Sequence, residues 1–314
     1  MKALRRIREL LILLALLFLV PIAAQAQDAR SAPKATPALW KIEKEGATVF
    51  LFGSLHILPE TLKWITPEID AAMAASEVFV FEVPTDEGAA AAEKEFIVKY
   101  GLLPEGASLR NVLTNREFLI YSTVLRRAGL RPEQFARYRP WLAAVILGLA
   151  YMNPKSITEI SGADNDLIDY ANANGKQVRY LETPASQMAL LTGNGDVSAI
   201  LSLKRLIRTL PTTKTQSQQL LELWSAGDAD SIATRIDSYF TGYTMSKDAL
   251  VGNRNREWLA PINELLNQSG RTSMVTVGAA HIGGLNGLIP LLCAEGHEVE
   301  RVGREGAANT PACP

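Results

Sequence analysis

The chain has 314 residues, of which 47% are hydrophobic and 21% charged, and its formal net charge is −1. This is ordinary globular composition, with room for one large domain or two small ones. The near-neutral charge leaves no basic footprint, so no nucleic-acid partner is expected.

The first element in chain order is a leader. Lys2, Arg5, Arg6 and Arg8 precede an unbroken apolar run, Leu10 to Val20, which Pro21 ends before an A-x-A site at Ala24-Gln25-Ala26. This is the pattern of a secretory signal peptide over residues 1–26; the competing reading, an uncleaved anchor, needs a longer apolar run. Cleavage after Ala26 removes four bases and one acid, taking the net charge from −1 to −4. The expected location is periplasmic or secreted, in a bacterial setting, with no membrane span left after cleavage. Residues 27–38 are small, polar and proline-bearing and read as a linker. The fold is expected over 39–303, followed by a flexible tail over 304–314.

Leu39 to Glu43 alternates apolar and polar residues, and Lys44-Glu45-Gly46 can turn the chain into Thr48-Val-Phe-Leu-Phe-Gly53-Ser-Leu-His56. A β-hairpin is expected there, its second strand buried. Thr66 suits an N-cap and Pro67 a first helical turn, for a short helix ending near Ser76. Val78 to Pro84 reads as another buried strand, ended by Glu82. Asp86 to about Asn153 looks helical, with a capping box at Thr114-Asn-Arg-Glu117 and a helix opened by Arg139-Pro140-Trp141. Gly162-Ala-Asp164 starts a helix that Asn174-Gly175 stops. Gln177 to Pro184 reads as a third buried strand, ended by Glu182. Ala185 to Gln268 is helical again, with breaks at Gly193–Gly195, Pro211, Gly227 and Gly242. Ser273-Met-Val-Thr-Val-Gly278-Ala-Ala-His281 repeats the Gly-x-x-His strand, with a glycine in each copy to let the backbone turn. A helix around Leu285 to Ala294 and a short strand from His297 to Val302 close the fold. Alternating strands and helices make the class α/β, one domain with large helical insertions. Cys293 and Cys313 are expected to pair in an oxidising compartment, closing a loop that contributes about 3 kcal/mol; two free thiols is the alternative.

Ligands in open α/β sheets sit beyond the carboxyl ends of strands. Four such ends here carry His56, Glu82, Glu182 and His281, and two of the chain's three histidines sit in the same repeated context. Two imidazoles and two carboxylates at one edge suit a divalent transition metal, manganese, cobalt or zinc. Glutamate straight after a buried strand also needs a partner, because an unpaired buried carboxylate is costly. The bland reading gives each histidine a hydrogen bond and each glutamate a cap or an ion pair. His297, in a Glu-Gly-His-Glu turn, reads as solvated. The Arg126-Arg127 and Arg137/Arg139 charges read as a solvated helix face. No nucleophile triad or phosphate-binding loop is visible.

Gly53-Ser-Leu-His56, Phe81-Glu82, Arg139-Pro140-Trp141, Gly162-Ala-Asp164, Leu181-Glu182-Thr183, Arg254-Asn255-Arg-Glu-Trp258 and Gly278-Ala-Ala-His281 occur in this order. Together they resemble the TraB/GumN family, which is similar to the Tiki metalloproteases and, more distantly, to erythromycin esterase and ChaN-like proteins. The resemblance implies a mixed central sheet flanked by helices and a manganese- or cobalt-dependent peptidase. It implies His56, His281 and Glu82 as metal residues, with Glu82, Glu182, Arg254 and Asn255 as the wider catalytic set. Which glutamate is ligand and which is base stays open. The partner implied is a peptide or protein substrate, and the helical insertions could serve a homodimer or cover the site. Erythromycin esterase-like members carry glutamate where this chain has Gly53, which weighs against esterase chemistry. Two further readings are a non-catalytic haem or tetrapyrrole binder, with His56 or His281 as axial ligand, and an accessory envelope protein for polysaccharide export or conjugation with a vestigial site.

Overall fold

The computed structural model describes residues 34–152, 162–192, 195–240, 248–303 and 308–313. The expected leader, most of the expected linker, the Gly242 break and part of the tail lie outside the described residues. Strands β1 (Leu39–Lys44) and β2 (Ala47–Ser54) form the expected hairpin, turned at Glu45 and Gly46, both with positive φ. Helix α1 (Pro67–Ala75) follows, with Thr66 Oγ1 accepting from the Ile69 N–H. Strand β3 (Val78–Phe81) leads into α2 (Glu87–Tyr100), α3 (Asn115–Arg127) and α4 (Pro140–Met152). The capping box at Thr114 and Glu117 is formed on both sides. Then come α5 (Ala163–Ala173), β4 (Gln177–Tyr180), α6 (Pro184–Thr192), α7 (Gly195–Ala226), α8 (Ala229–Phe240) and, after one π-helical turn at Asp248–Gly252, α9 (Asn253–Leu266). Strand β5 (Thr272–Gly278), a 3-10 turn (Ala279–His281), α10 (Leu288–Ala294), β6 (Val299–Arg301) and β7 (Thr310–Pro311) complete the chain.

The seven strands form one mixed sheet in the order β4-β3-β5-β2-β1-β6-β7. The two Gly-x-x-His strands, β2 and β5, are parallel neighbours, with Gly53 opposite Val277 and Ser54 opposite Gly278. Strand β5 also pairs in parallel with β3, and β3 with β4. The carboxyl ends of these four strands therefore meet at one edge.

Alternation along the strands sorts the core into two faces. Phe52, Phe79, Phe81 and Met274 point to one face, under α1, α5 and the Trp224 end of α7. Val49, Leu51, Val78, Val80, Val275 and Val277 point to the other, under α9 and α10. A third core, built from α2, α3, α4, α6 and the first half of α7, forms a helical lobe away from the sheet. Among the described residues no helix is long and apolar enough to cross a membrane.

Five expectations change. Pro211 does not break the chain but lies inside the 32-residue α7. Leu203, Ile207 and Leu210 on one side of it and Leu220 and Trp224 on the other are buried, and that packing outweighs the ~3 kcal/mol cost of an internal proline. Strand β4 is not buried, because it is the edge strand, and Gln177 and Tyr180 face solvent. The last helix starts at Leu288 rather than Leu285, leaving Leu285 94% exposed in the turn. His297 is not solvated; it is half-buried with Nε2 2.6 Å from Asn263 Oδ1. Arg139 likewise is tied down, donating to the Leu102 carbonyl and pairing with Asp196. Cys293 and Cys313 form a disulfide, and β7 beside it pairs with β6.

Candidate functional site

The site is built where β2, β3, β4 and β5 end. Glu82 follows β3 directly and Glu182 lies just past β4; the two are held side by side by the Glu182 N–H donating to the Glu82 carbonyl at 2.8 Å. His281 closes the 3-10 turn after β5. His56 stands past the end of β2. The glycines of the two motifs do not work as turns through positive φ. Gly53 is needed for close approach, since a Cβ there would lie 2.9 Å from Ile282 Cγ1 and 3.0 Å from Ala279 Cα. Gly278 gives its backbone N–H to Glu82 Oε1 at 2.7 Å.

Arg254, on the first turn of α9, is the hub. Its Nε donates to Glu182 Oε1 at 2.7 Å, and Nη2 donates to Glu82 Oε2 at 2.5 Å and to Glu182 Oε2 at 3.2 Å. Nη1 donates to the Leu250 carbonyl at 3.2 Å and faces His281 Nε2 at 3.1 Å. A guanidinium has five N–H donors and no acceptor, so all five are used and His281 Nε2 must accept. Asn255 supplies the matching constraint. Its amide nitrogen donates to the carbonyls of His281 and Asn286, at 3.1 and 2.7 Å, so its Oδ1 accepts from His281 Nδ1 at 2.6 Å. His281 is thus neutral, with its proton on Nδ1 and a lone pair on Nε2. Trp258, one turn beyond Arg254, packs its ring 4.5 Å from the His281 ring, receives the Arg254 guanidinium at 4.7 Å and donates Nε1–H to Glu182 Oε1 at 3.0 Å.

The charges follow from these contacts. Burial raises the Glu82 carboxyl, but Arg254, the two histidines and the Gly278 N–H more than offset this and hold it at about 2. Burial and the Arg254 charge push His281 down to about 3. Burial, with Glu82 nearby, leaves Glu182 raised despite Arg254 and Trp258. Burial lowers His56, and Asp164 with Glu82 more than offsets it, so the ring is raised.

His56 stands apart from the Arg254 hydrogen bonds. Its Nδ1 lies 3.0 Å from Asp164 Oδ1. The distance is that of a hydrogen bond but the alignment is not, and neither atom makes another one. The structure thus brings Glu82, Glu182, Arg254, Asn255 and His281 into one bonded network and sets His56 at its border. Asp164 and Trp258 were both legible within the family motifs, but neither was given a role; the four-residue spacing of Trp258 from Arg254, which puts both on one helical face, could have pointed to it.

The residues fit a divalent metal in kind. His281 offers an Nε2 lone pair 4.0 Å from Glu82 Oε1, Glu82 is ionised, and His56 adds a second buried imidazole whose Nδ1 faces Asp164. In the arrangement described, Arg254 takes that Nε2 lone pair. Among the described residues no three His, Cys, Asp or Glu side chains are drawn into one ligand group.

Comparison with curated proteins and with solved structures gave no match. The model of one family matches residues 38–301, which spans every element that contributes to this network, and by it the chain belongs to the TraB/PrgY/gumN family.

Proposed function

We propose that this chain is an exported, metal-dependent hydrolase acting on peptides, with His56, His281 and Glu82 holding a manganese, cobalt or zinc ion. The observation that carries the reading is the locked tautomer of His281. Asn255 fixes the proton on Nδ1, which leaves the Nε2 lone pair beside an ionised carboxylate, as metal-binding imidazoles are commonly set. A bound ion of this kind would supply a polarised carbonyl and an acidified water.

The other roles belong to the chain. Glu82, held at about 2, stays ionised at neutral pH. Glu182 is the carboxylate suited to carry a proton, because its affinity for one is raised by burial. Arg254 fixes the orientation of both carboxylates, and it would have to give up His281 Nε2 for that nitrogen to hold an ion. Export rests on the leader pattern of residues 1–26.

The test is metal binding first, then turnover. Protein equilibrated with manganese, cobalt or zinc is expected to retain about one ion, and the double variant His56→Ala/His281→Ala none. A peptide library should then be cut by the loaded wild type alone. Equal metal content in wild type and double variant would sink the reading. A Soret shift on haem titration, with no divalent ion bound, would move the site to the tetrapyrrole-binding class.

A further inference from the structure

We infer that Asp164 is the positioning residue of His56, holding the proton of the imidazole on Nδ1 and leaving Nε2 as its free nitrogen. The inference starts from two buried atoms with nowhere else to go. His56 Nδ1 and Asp164 Oδ1 each lack any aligned hydrogen bond, and they face each other at 3.0 Å. Leaving two buried polar atoms unpaired is costly, and each is the other's nearest complement.

The backbone around them keeps the pair together. The Ala163 N–H, at the start of α5, donates to the Leu55 carbonyl at 2.9 Å, joining the helix to the residue before His56. A Cβ at Gly162 would lie 2.3 to 2.5 Å from His56 backbone atoms, so the two segments touch without room for a side chain. On the far side of His56, Trp64 donates Nε1–H to Asp166 Oδ2 at 3.0 Å, and its ring stacks on Phe52 at 5.4 Å. The first turn of α5 is thus fastened to the loop on both flanks of His56, and Asp164 is the acidic side chain that this docking delivers to the ring. The two strand-end histidines are then set alike by different helices: His281 by Asn255 on α9, His56 by Asp164 on α5.

The tautomer claim stands alone; its consequence for an ion rests on the proposed function. With only three histidines in the chain, ring nitrogen NMR reads each one. Above the pH at which the raised titration of His56 is complete, read from the same spectra, His56 in the wild type should carry its proton on Nδ1. Asp164→Ala should shift it toward Nε2, and Asp164→Asn, which keeps an acceptor oxygen, should restore Nδ1. His281, fixed by Asn255, should not change in either variant. Cobalt affinity should fall about 10- to 100-fold in Asp164→Ala. A wild-type His56 protonated on Nε2 overturns the inference without any variant, so a failure of Asp164→Ala to fold leaves it testable. A His56 tautomer indifferent to Asp164→Ala also overturns it, as does an equal change at His281, which marks a structural collapse. If no ion binds the wild type but the tautomer responds, the metal reading falls and the role of Asp164 stands.

Discussion

Glu82, at the end of β3, and Glu93, in the middle of α2, are 7% and 3% exposed. Their carboxyls move in opposite directions: Glu82 is held at about 2, while Glu93, pushed by burial alone, rises to about 8. The difference lies in what surrounds them. At the sheet edge every donor of Arg254 is spent, and a backbone N–H adds to the charge on Glu82. In the helical lobe Glu93 Oε2 makes no hydrogen bond, and neither do the Tyr121 hydroxyl and Ser122 Oγ. Burial alone therefore does not mark a functional site in this protein. A closed network of charges does, because only such a network keeps a carboxylate ionised away from water.

The largest effect should come from opening that network. Arg254→Leu leaves Glu82 and Glu182 buried without a cation and is expected to cost about 3–5 kcal/mol in urea denaturation. Adding Glu82→Gln and Glu182→Gln to it should recover most of the loss. A cost under about 1 kcal/mol for Arg254→Leu alone would mean that water, not Arg254, compensates the carboxylates.

The next test is acid. A carboxyl ordinarily near 4.5 and held at about 2 in the fold adds stability that is full above 4.5 and is lost as pH falls through that window. The lowered pKa corresponds to about 3 kcal/mol. His281 acts with the same sign over a higher window: ordinarily near 6.5 and held at about 3, it takes up a proton more readily when unfolded, so stability falls as pH drops from 6.5 toward 3. Unfolding midpoints from pH 7 to 3 should therefore fall below about 6.5 and fall more steeply below about 4.5 in the wild type. Glu82→Gln should flatten only the lower limb; an unchanged profile would remove Glu82 from the charge network.

Glu93 reverses the sign. With its carboxyl raised from 4.5 to about 8, it favours the fold below 4.5, and that contribution is lost as pH rises through 8. Glu93→Gln should be neutral at pH 4 and stabilise by about 2 kcal/mol at pH 9, the cost of one unsatisfied buried group. If the variant loses stability at pH 9, Glu93 has a partner there and the contrast with Glu82 closes.

Much of this was legible in the sequence. Apolar runs bounded by turn signals gave the buried strands and alternation gave only Leu39 to Glu43; Thr66 and Thr114 gave helix starts, and the strand-end residues His56, Glu82, Glu182 and His281 were found from position alone. What was not legible came from packing between distant segments. The Gln-Val-Arg-Tyr run of β4, polar at two positions where β3 is Val-Phe-Val-Phe, hints at exposure, but only the sheet order places it at the edge. Pro211 looked like a stop because its helix is stabilised by two separate cores, neither visible in a short window. Asp164 has no special spacing to His56; the docking of α5 brings them together. The role of Arg254 as the hub of both carboxylates is likewise a product of α9 crossing the strand ends.

The smallest expected effect asks whether the two regions are one unit. Thr114 caps α3 through its Oγ1, which accepts from the Glu117 N–H at 3.2 Å, while Glu117 accepts from the Thr114 N–H at 2.9 Å. Thr114→Ala should cost about 1 kcal/mol. Helix α7 ties the lobe to the sheet: Leu203, Ile207 and Leu210 belong to the lobe core, Leu220 and Trp224 to the aromatic face, and Trp224 donates to the Gly53 carbonyl at 2.7 Å. A single helix crossing both cores should make them unfold together. In native-state hydrogen exchange, Thr114→Ala should then speed the slowest amides of α3 and of β5 alike, by about five-fold. Faster exchange in α3 with β5 unchanged would make the lobe a separate foldon. Glu93→Gln would then stabilise only the lobe, while Arg254→Leu would act only on the sheet.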